Sequence, residues 1–137
     1  MMLRVETRRR ARALQLLYAL ETTGDDIDVA ARNLVRLTGP EPDVSREAHD
    51  LVHAVLDRRE ELDQRAEAAA EHWRFDRIAL VERNILRLGI YELVVGDVPA
   101  RVVIDESLWL AHRFASLKAP PFINGVLDRV ARDLGRL

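Results

Sequence analysis

The chain has 137 residues, enough for one domain with a real core, and combines 32 % charged with 48 % apolar residues at a net charge of −2. This balance argues against a disordered tail, and the absence of cysteine excludes disulfides, thiolate metal sites and a cysteine nucleophile. No apolar run approaches the roughly 20 residues of a membrane span.

The elements follow in order from helix periodicity, since alternating strand patterns are scarce. A first helix spans residues 6–22. Its start resembles a signal peptide, but Gln15 and Tyr18 interrupt the apolar run and no small-x-small site follows Glu21. It therefore reads as a helix of a cytoplasmic protein. A second helix covers about 28–37 and stops at Gly39. Ser45 is a candidate N-cap for a third beginning at Arg46. That pattern continues through Leu62 to about His72, as two helices or one with a bend. Asp76 is placed to cap a helix over 77–95 that ends at Gly96. Pro99 precedes another at about 101–116, and Pro120-Pro121 opens the last, about 122–135. With no repeat and no linker, the expectation is an all-α, single-domain bundle of about seven helices over 1–137.

Five arginines stand between residues 4 and 12, and Lys118 is the only lysine in the chain. Arginine forks phosphate and stacks on bases in ways lysine does not, although a bias this complete also follows from genome composition. On a helical wheel Ala13, Leu14, Leu17 and Leu20 gather on the core side. Arg8, Arg12 and Gln15 line the other side, with Tyr18 at the boundary. A ring beside a guanidinium row suits single-stranded nucleic acid, the cations on phosphates and the ring on a base. A solvated arginine face with Tyr18 in the core margin is the plainer alternative.

His49, Asp50 and His53 share a helix face with Asp57 at metal-ligand spacing, yet aspartate stands where the zincin pattern needs glutamate and no third ligand is evident. A solvated surface is the default there. No nucleophile elbow, Walker loop or dinucleotide glycine fingerprint occurs, and the Asp105-Glu106 pair suits a helix start without catalysis. The helix over 77–95 has a broad apolar face of Ile78, Val81, Ile85, Leu86 and Leu93, with Gly89 within it and Glu82 and Glu92 on or near it. Arg83 and Arg87 take another side. Acids on an apolar face are either paired inside a bundle or part of a wet protein interface.

Three segments together resemble the NusB family of bacterial transcription antitermination factors. The first is Arg8-Arg9-Arg10-Ala11-Arg12 with Ala13-Leu14-Gln15-Leu16-Leu17-Tyr18. The second is Arg83-Asn84-Ile85-Leu86-Arg87-Leu88-Gly89-Ile90-Tyr91-Glu92-Leu93, followed by Val98-Pro99 and Val103-Ile104-Asp105-Glu106. The third is Phe122-Ile123-Asn124-Gly125-Val126-Leu127-Asp128. Their order and spacing span nearly the whole chain, although Gly24 to His72 corresponds only in helical character.

The resemblance implies two packed helical subbundles and no cofactor, metal or catalysis. It implies binding of boxA-type single-stranded RNA with the ribosomal protein NusE, and attachment to the RNA polymerase elongation complex through other Nus factors. The outcome would be processive transcription of ribosomal RNA operons. By the family's motifs, Arg8, Arg9, Arg10, Arg12, Tyr18, Lys118, Phe122, Asn124 and Gly125 would form the RNA surface, and Glu82 is a candidate NusE contact. Some members of the family self-associate, so a homodimer is compatible with the resemblance. Two departures stand out: Asp105 where the family usually has asparagine, and Ala119-Pro120-Pro121, which leaves Lys118 as the only cation of the loop. Three rivals follow: a detached NusB-like accessory domain of RNA cytosine methyltransferases, a helical protein-interaction scaffold without RNA, and a metal-dependent hydrolase using His49, Asp50 and His53.

Overall fold

The computed structural model describes residues 4–71 and 77–137. Seven helices and no strand occur among the described residues: α1 (Val5–Thr23), α2 (Ile27–Thr38), α3 (Pro42–Asp57), α4 (Arg59–Ala69), α5 (Leu80–Val95), α6 (Ala100–Phe114) and α7 (Ala119–Asp133). They fall into two compact units, one through Asp57 and one from Arg58 onward. This is the all-helical, two-subbundle architecture expected.

In the first unit α1 packs on both α2 and α3. Its sequence is rich in alanine, leucine and arginine, all good helix formers. Gly24 ends it in the left-handed conformation (φ 74°), its N–H donating to the Leu20 carbonyl. Two covering helices explain a buried arc wider than the wheel predicts: Leu16 joins Ala13, Leu14 and Leu17 in the core, whereas Leu20 is only half-buried. α2 is capped by Asp26, whose carboxylate accepts from the Val29 N–H at 3.0 Å.

The third helix begins four residues earlier than expected. Pro42 opens it with a preset φ, and the Ser45 N–H already donates to the Glu41 carbonyl at 2.8 Å. Ser45 is thus inside the helix and caps nothing; its buried hydroxyl has no hydrogen-bond partner. The long pattern beyond it resolves into two helices, with a break at Arg58 (φ −115°, ψ 14°). His72 and Asp76, the expected helix end and cap, lie outside the described residues.

In the second unit α5 is central, packed on α4, α6 and α7. Every residue from Asn84 to Ile90 is buried, so the helix is enclosed rather than amphipathic. Gly89 permits close packing: a Cβ there would stand 2.9 Å from Ser107 Oγ and 3.0 Å from a Leu127 methyl. The close approach comes from side chains of α6 and α7. Arg87, expected on a separate side, is also enclosed at 2 % exposure. It donates from Nε to Asp63 Oδ1 at 2.7 Å, from Nη2 to Asp63 Oδ2 at 3.0 Å, and from Nη1 to Asn84 Oδ1 at 2.9 Å. This fork ties α5 to α4 and supplies the pairing that a buried guanidinium requires.

The end of α5 is closed by a side chain distant in sequence. Gly96 takes φ 83°, and Arg136 donates to the Leu93 carbonyl at 2.8 Å and to the Val98 carbonyl at 2.9 Å. A cation at a helix C-terminus satisfies open carbonyls and complements the dipole. A Cβ on Gly96 would come within 2.8 Å of that guanidinium. α7 opens at Ala119, three residues before the expected start, with Pro120 and Pro121 inside its first turn, where no N–H is needed.

Candidate nucleic-acid interface

The arginine-rich stretch forms the first two turns of α1, where successive side chains point in different directions and meet different surroundings. Arg8 Nε donates to Glu41 Oε2 at 3.0 Å, and Arg12 Nη2 donates to Glu41 Oε1 at 3.3 Å. A second Arg12 donor, Nη1, is received by the Thr38 hydroxyl, which in turn donates to the Leu34 carbonyl at 2.8 Å. Arg9 Nη1 lies 3.8 Å from Glu47 Oε2. Three arginines of α1 are therefore held by acids from the start of α3 and the segment before it.

Arg10 behaves differently. It is 5 % exposed and so is not one of a row of surface cations. The reason lies in its register: Leu14 and Leu17 stand four and seven residues on, which places Arg10 on the buried stripe of α1. That i, i+4, i+7 spacing is present in the sequence itself, inside the run of like charge. Tyr18 is 45 % exposed, and at 100° per residue it falls within about 80° of Gln15 and Arg8. An exposed ring on that arc is the geometry a stacking platform needs.

The remaining predicted residues belong to the second unit, around the start of α7. Lys118 occupies the N-cap position and is exposed; Phe122 is half-buried; Asn124 and Gly125 are exposed. Two hollows flank Phe122. One, of about 310 Å³, is lined by Arg77, Ile78, Glu82, Ser116, Lys118 and Phe122, among others. The other, of about 370 Å³, is lined by Ala69, Ala70, Glu71, Phe122, Gly125 and Arg129, among others. Gly125 sits inside α7 with no atom within 4 Å of where a Cβ would be, so packing does not require glycine there.

Glu82 is 8 % exposed and accepts from the Ser116 hydroxyl at 3.3 Å. It lies at the wall of the first hollow rather than on an open surface. Of the two alternatives for an acid on an apolar face, pairing inside the bundle describes it better. Asp105 is exposed and Glu106 buried, but α6 begins at Ala100 with no acid in its first turn, so the pair lies in the second turn and not at the helix start expected for it. His49 Nε2 is 3.3 Å from Asp28 Oδ1, and its ring packs edge-on against His53 with centroids 4.7 Å apart. No group of three or more histidine, aspartate or glutamate side chains among the described residues is arranged to hold a metal ion. No helix among them is long and apolar enough to cross a membrane.

The structure thus gathers Arg8, Arg9, Arg12 and Tyr18 on one helix of the first unit. In the second, it gathers Lys118, Phe122 and Glu82 around one hollow. Sequence reasoning missed the partners Thr38, Glu41 and Glu47: each stands more than 25 residues from its arginine, and no local pattern couples them.

Comparison with known proteins bears on the family and the fold. The NusB family model matches residues 7–132. A transcription antitermination protein NusB from Anaeromyxobacter dehalogenans is 42 % identical over 129 residues, covering 93 % of this chain and 91 % of that protein. A structure of antitermination factors NusB and NusE in complex with double-stranded RNA superposes with a TM-score of 0.81 at 30 % identity, covering 96 % of this chain and 99 % of the matched one. A chain from the crystal structure of a plectonemic RNA supercoil gives a TM-score of 0.85 at 28 % identity, with 96 % of each chain covered. With the sequence matched almost from end to end and the fold shared, the chain belongs to the NusB family.

Proposed function

We propose that this NusB-family chain is a transcription antitermination factor that binds boxA-type single-stranded RNA together with NusE. Through other Nus factors it joins the RNA polymerase elongation complex and promotes processive transcription of ribosomal RNA operons. It works as a single binding domain over 1–137, in the cytoplasm, without catalysis, cofactor or metal. In the first unit Arg8, Arg9 and Arg12 position the RNA backbone and Tyr18 stacks a base; in the second, Phe122 stacks a base and Lys118, Asn124 and Gly125 supply further RNA contacts. Arg10 contributes from inside the helix packing, by holding α1 in place. NusE extends the RNA surface, and the combined contacts raise affinity. Glu82, at the wall of the first hollow, is the candidate NusE contact in the second unit.

The observation that carries this reading is the exposed Tyr18 ring on the same helix as a row of arginines, in a chain matched to its family over residues 7–132. Fluorescence anisotropy with labelled boxA-type and scrambled RNA tests it, with and without NusE and at two salt concentrations. Tighter binding to boxA, strengthened by NusE and weakened steeply by salt, is the expected result. Salt-insensitive binding of NusE with no RNA preference would move the assignment to a protein-interaction scaffold.

A further inference from the structure

The arginine row of α1 already holds an anion, and that anion is the chain's own. Glu41 presents both carboxylate oxygens to two arginines at once, Oε2 to Arg8 Nε at 3.0 Å and Oε1 to Arg12 Nη2 at 3.3 Å. This is how a phosphate would be received: two oxygens of one anionic group shared between neighbouring guanidinium donors. Glu41 is held less firmly than the arginines it meets. Its side chain is 34 % exposed, against 11 % for Arg12, and it lies in the short connection between Gly39 (φ 88°) and Pro42, before α3 begins.

We propose that Glu41 is a gate on the RNA site: its carboxylate occupies the position of an RNA phosphate on Arg8 and Arg12 and must be displaced when RNA binds. This rests on the RNA-binding reading above. A ligand that engages only the arginines has to exchange one ion pair for another and gains little. A ligand that also finds stacking and base contacts elsewhere gains those in addition. Glu41 therefore lowers affinity for RNA in general and leaves discrimination to the remaining contacts. Thr38 keeps Arg12 oriented during the exchange by accepting from its other terminal nitrogen.

The test compares wild type, Glu41→Gln and Glu47→Gln by anisotropy on boxA-type and scrambled RNA from 50 to 300 mM salt, with helicity and melting followed by circular dichroism. Glu41→Gln should bind scrambled RNA about two- to fivefold more tightly at low salt, the range of an exposed ion pair released. The gain should shrink as salt rises. Glu47→Gln changes net charge equally, but its carboxylate stands 3.8 Å from Arg9, and it should give a smaller gain. Equal gains from both variants would mean that net charge alone acts, and would overturn the gate. Unchanged or weaker binding by a folded Glu41→Gln protein would overturn it as well. If the amide variant loses helix, Glu41→Asp keeps the charge with a shorter reach; it should still bind scrambled RNA more tightly than wild type, and equal or weaker binding refutes the proposal. Wild type that binds neither RNA at 50 mM salt refutes the RNA reading itself, and this inference with it.

Discussion

Replacing Asp63 by asparagine breaks the interaction that joins α4 to α5, along with a longer, solvent-screened pair to Arg59 at 3.9 Å. The change is nearly isosteric, yet it removes the negative charge facing Arg87, whose side chain is 3 % exposed. Arginine cannot escape by losing its proton, so the charge stays buried beside a neutral amide. The asparagine oxygen can still accept one bond, but its NH₂ group faces another N–H donor, and the two-bond fork at 2.7 and 3.0 Å is lost. Breaking a fully buried ion pair costs about 3–5 kcal/mol. Asp63 is 26 % exposed, so water screens part of the loss, and about 2–3 kcal/mol is the expected figure. Urea unfolding followed by far-UV circular dichroism reads this directly. With m near 1–3 kcal/mol/M, the midpoint should fall by roughly 0.7–3 M. If the two units unfold in separate steps, the step belonging to residues 58–137 should move and the other should not. A midpoint shift below about 0.3 M would refute the argument, because it would mean that the fork contributes no more than a surface pair. The apolar double replacement Arg87→Met with Asp63→Leu should recover most of the loss, since it leaves no charge buried without a partner.

Arg10→Ala should destabilise the first unit by about 1–3 kcal/mol in a thermal melt, since it removes a buried side chain; an unchanged melting temperature would return Arg10 to the surface. Tyr18→Ala should weaken RNA binding by roughly 5- to 150-fold, the range of one lost stacking contact, while the melting temperature stays within about 2 °C. A large drop in melting temperature would assign the ring to the core instead. Glu61 is held below the usual carboxylate range, first by the hydrogen bond from Arg58 and then by Arg65. A carboxylate lowered in the folded state stabilises above its unfolded pKa, and that contribution is lost as pH falls through the folded value. Glu61→Gln should therefore flatten the acid side of the stability profile slightly, by about 0.3–0.5 kcal/mol, because these exposed helix pairs are screened by solvent. An identical profile for both proteins would show that the pairs contribute nothing.

Element type was legible wherever local chemistry specified it. Gly24, Gly39 and Gly96 marked helix ends because each is a position where the chain leaves the right-handed region, and all three have positive φ. Starts were less legible. Ser45 carried the usual cap chemistry, but Pro42 could open the helix earlier, and one helix cannot begin twice. The enclosed character of α5 was hidden for a different reason. Arg87 and Asn84 interrupt its apolar pattern, and the fork from Arg87 to Asp63, 24 residues away, helps make the burial of the guanidinium tolerable. Periodicity reports which residues prefer water; it does not report which polar residues will find partners.

The same distinction governs the candidate site. Read as a sequence, Arg8 to Arg12 is a block of like charge, and like charge on adjacent turns is expected to repel, to reach into solvent and to attract any polyanion. In the fold the block divides by register. Arg10 turns into the core beside Leu14 and Leu17, while Arg8, Arg9 and Arg12 meet carboxylates 29 to 38 residues away. Those acids offset the repulsion that would otherwise fray α1, and they hold the guanidinium groups in place before any ligand arrives. They also lessen the attraction that a bare cluster would exert on passing nucleic acid. An arginine surface with internal counter-ions is therefore pre-organised but not indiscriminate. Under the proposed function, affinity for RNA then has to come from contacts beyond the arginines, and on α1 itself the exposed ring of Tyr18 is the group available for them.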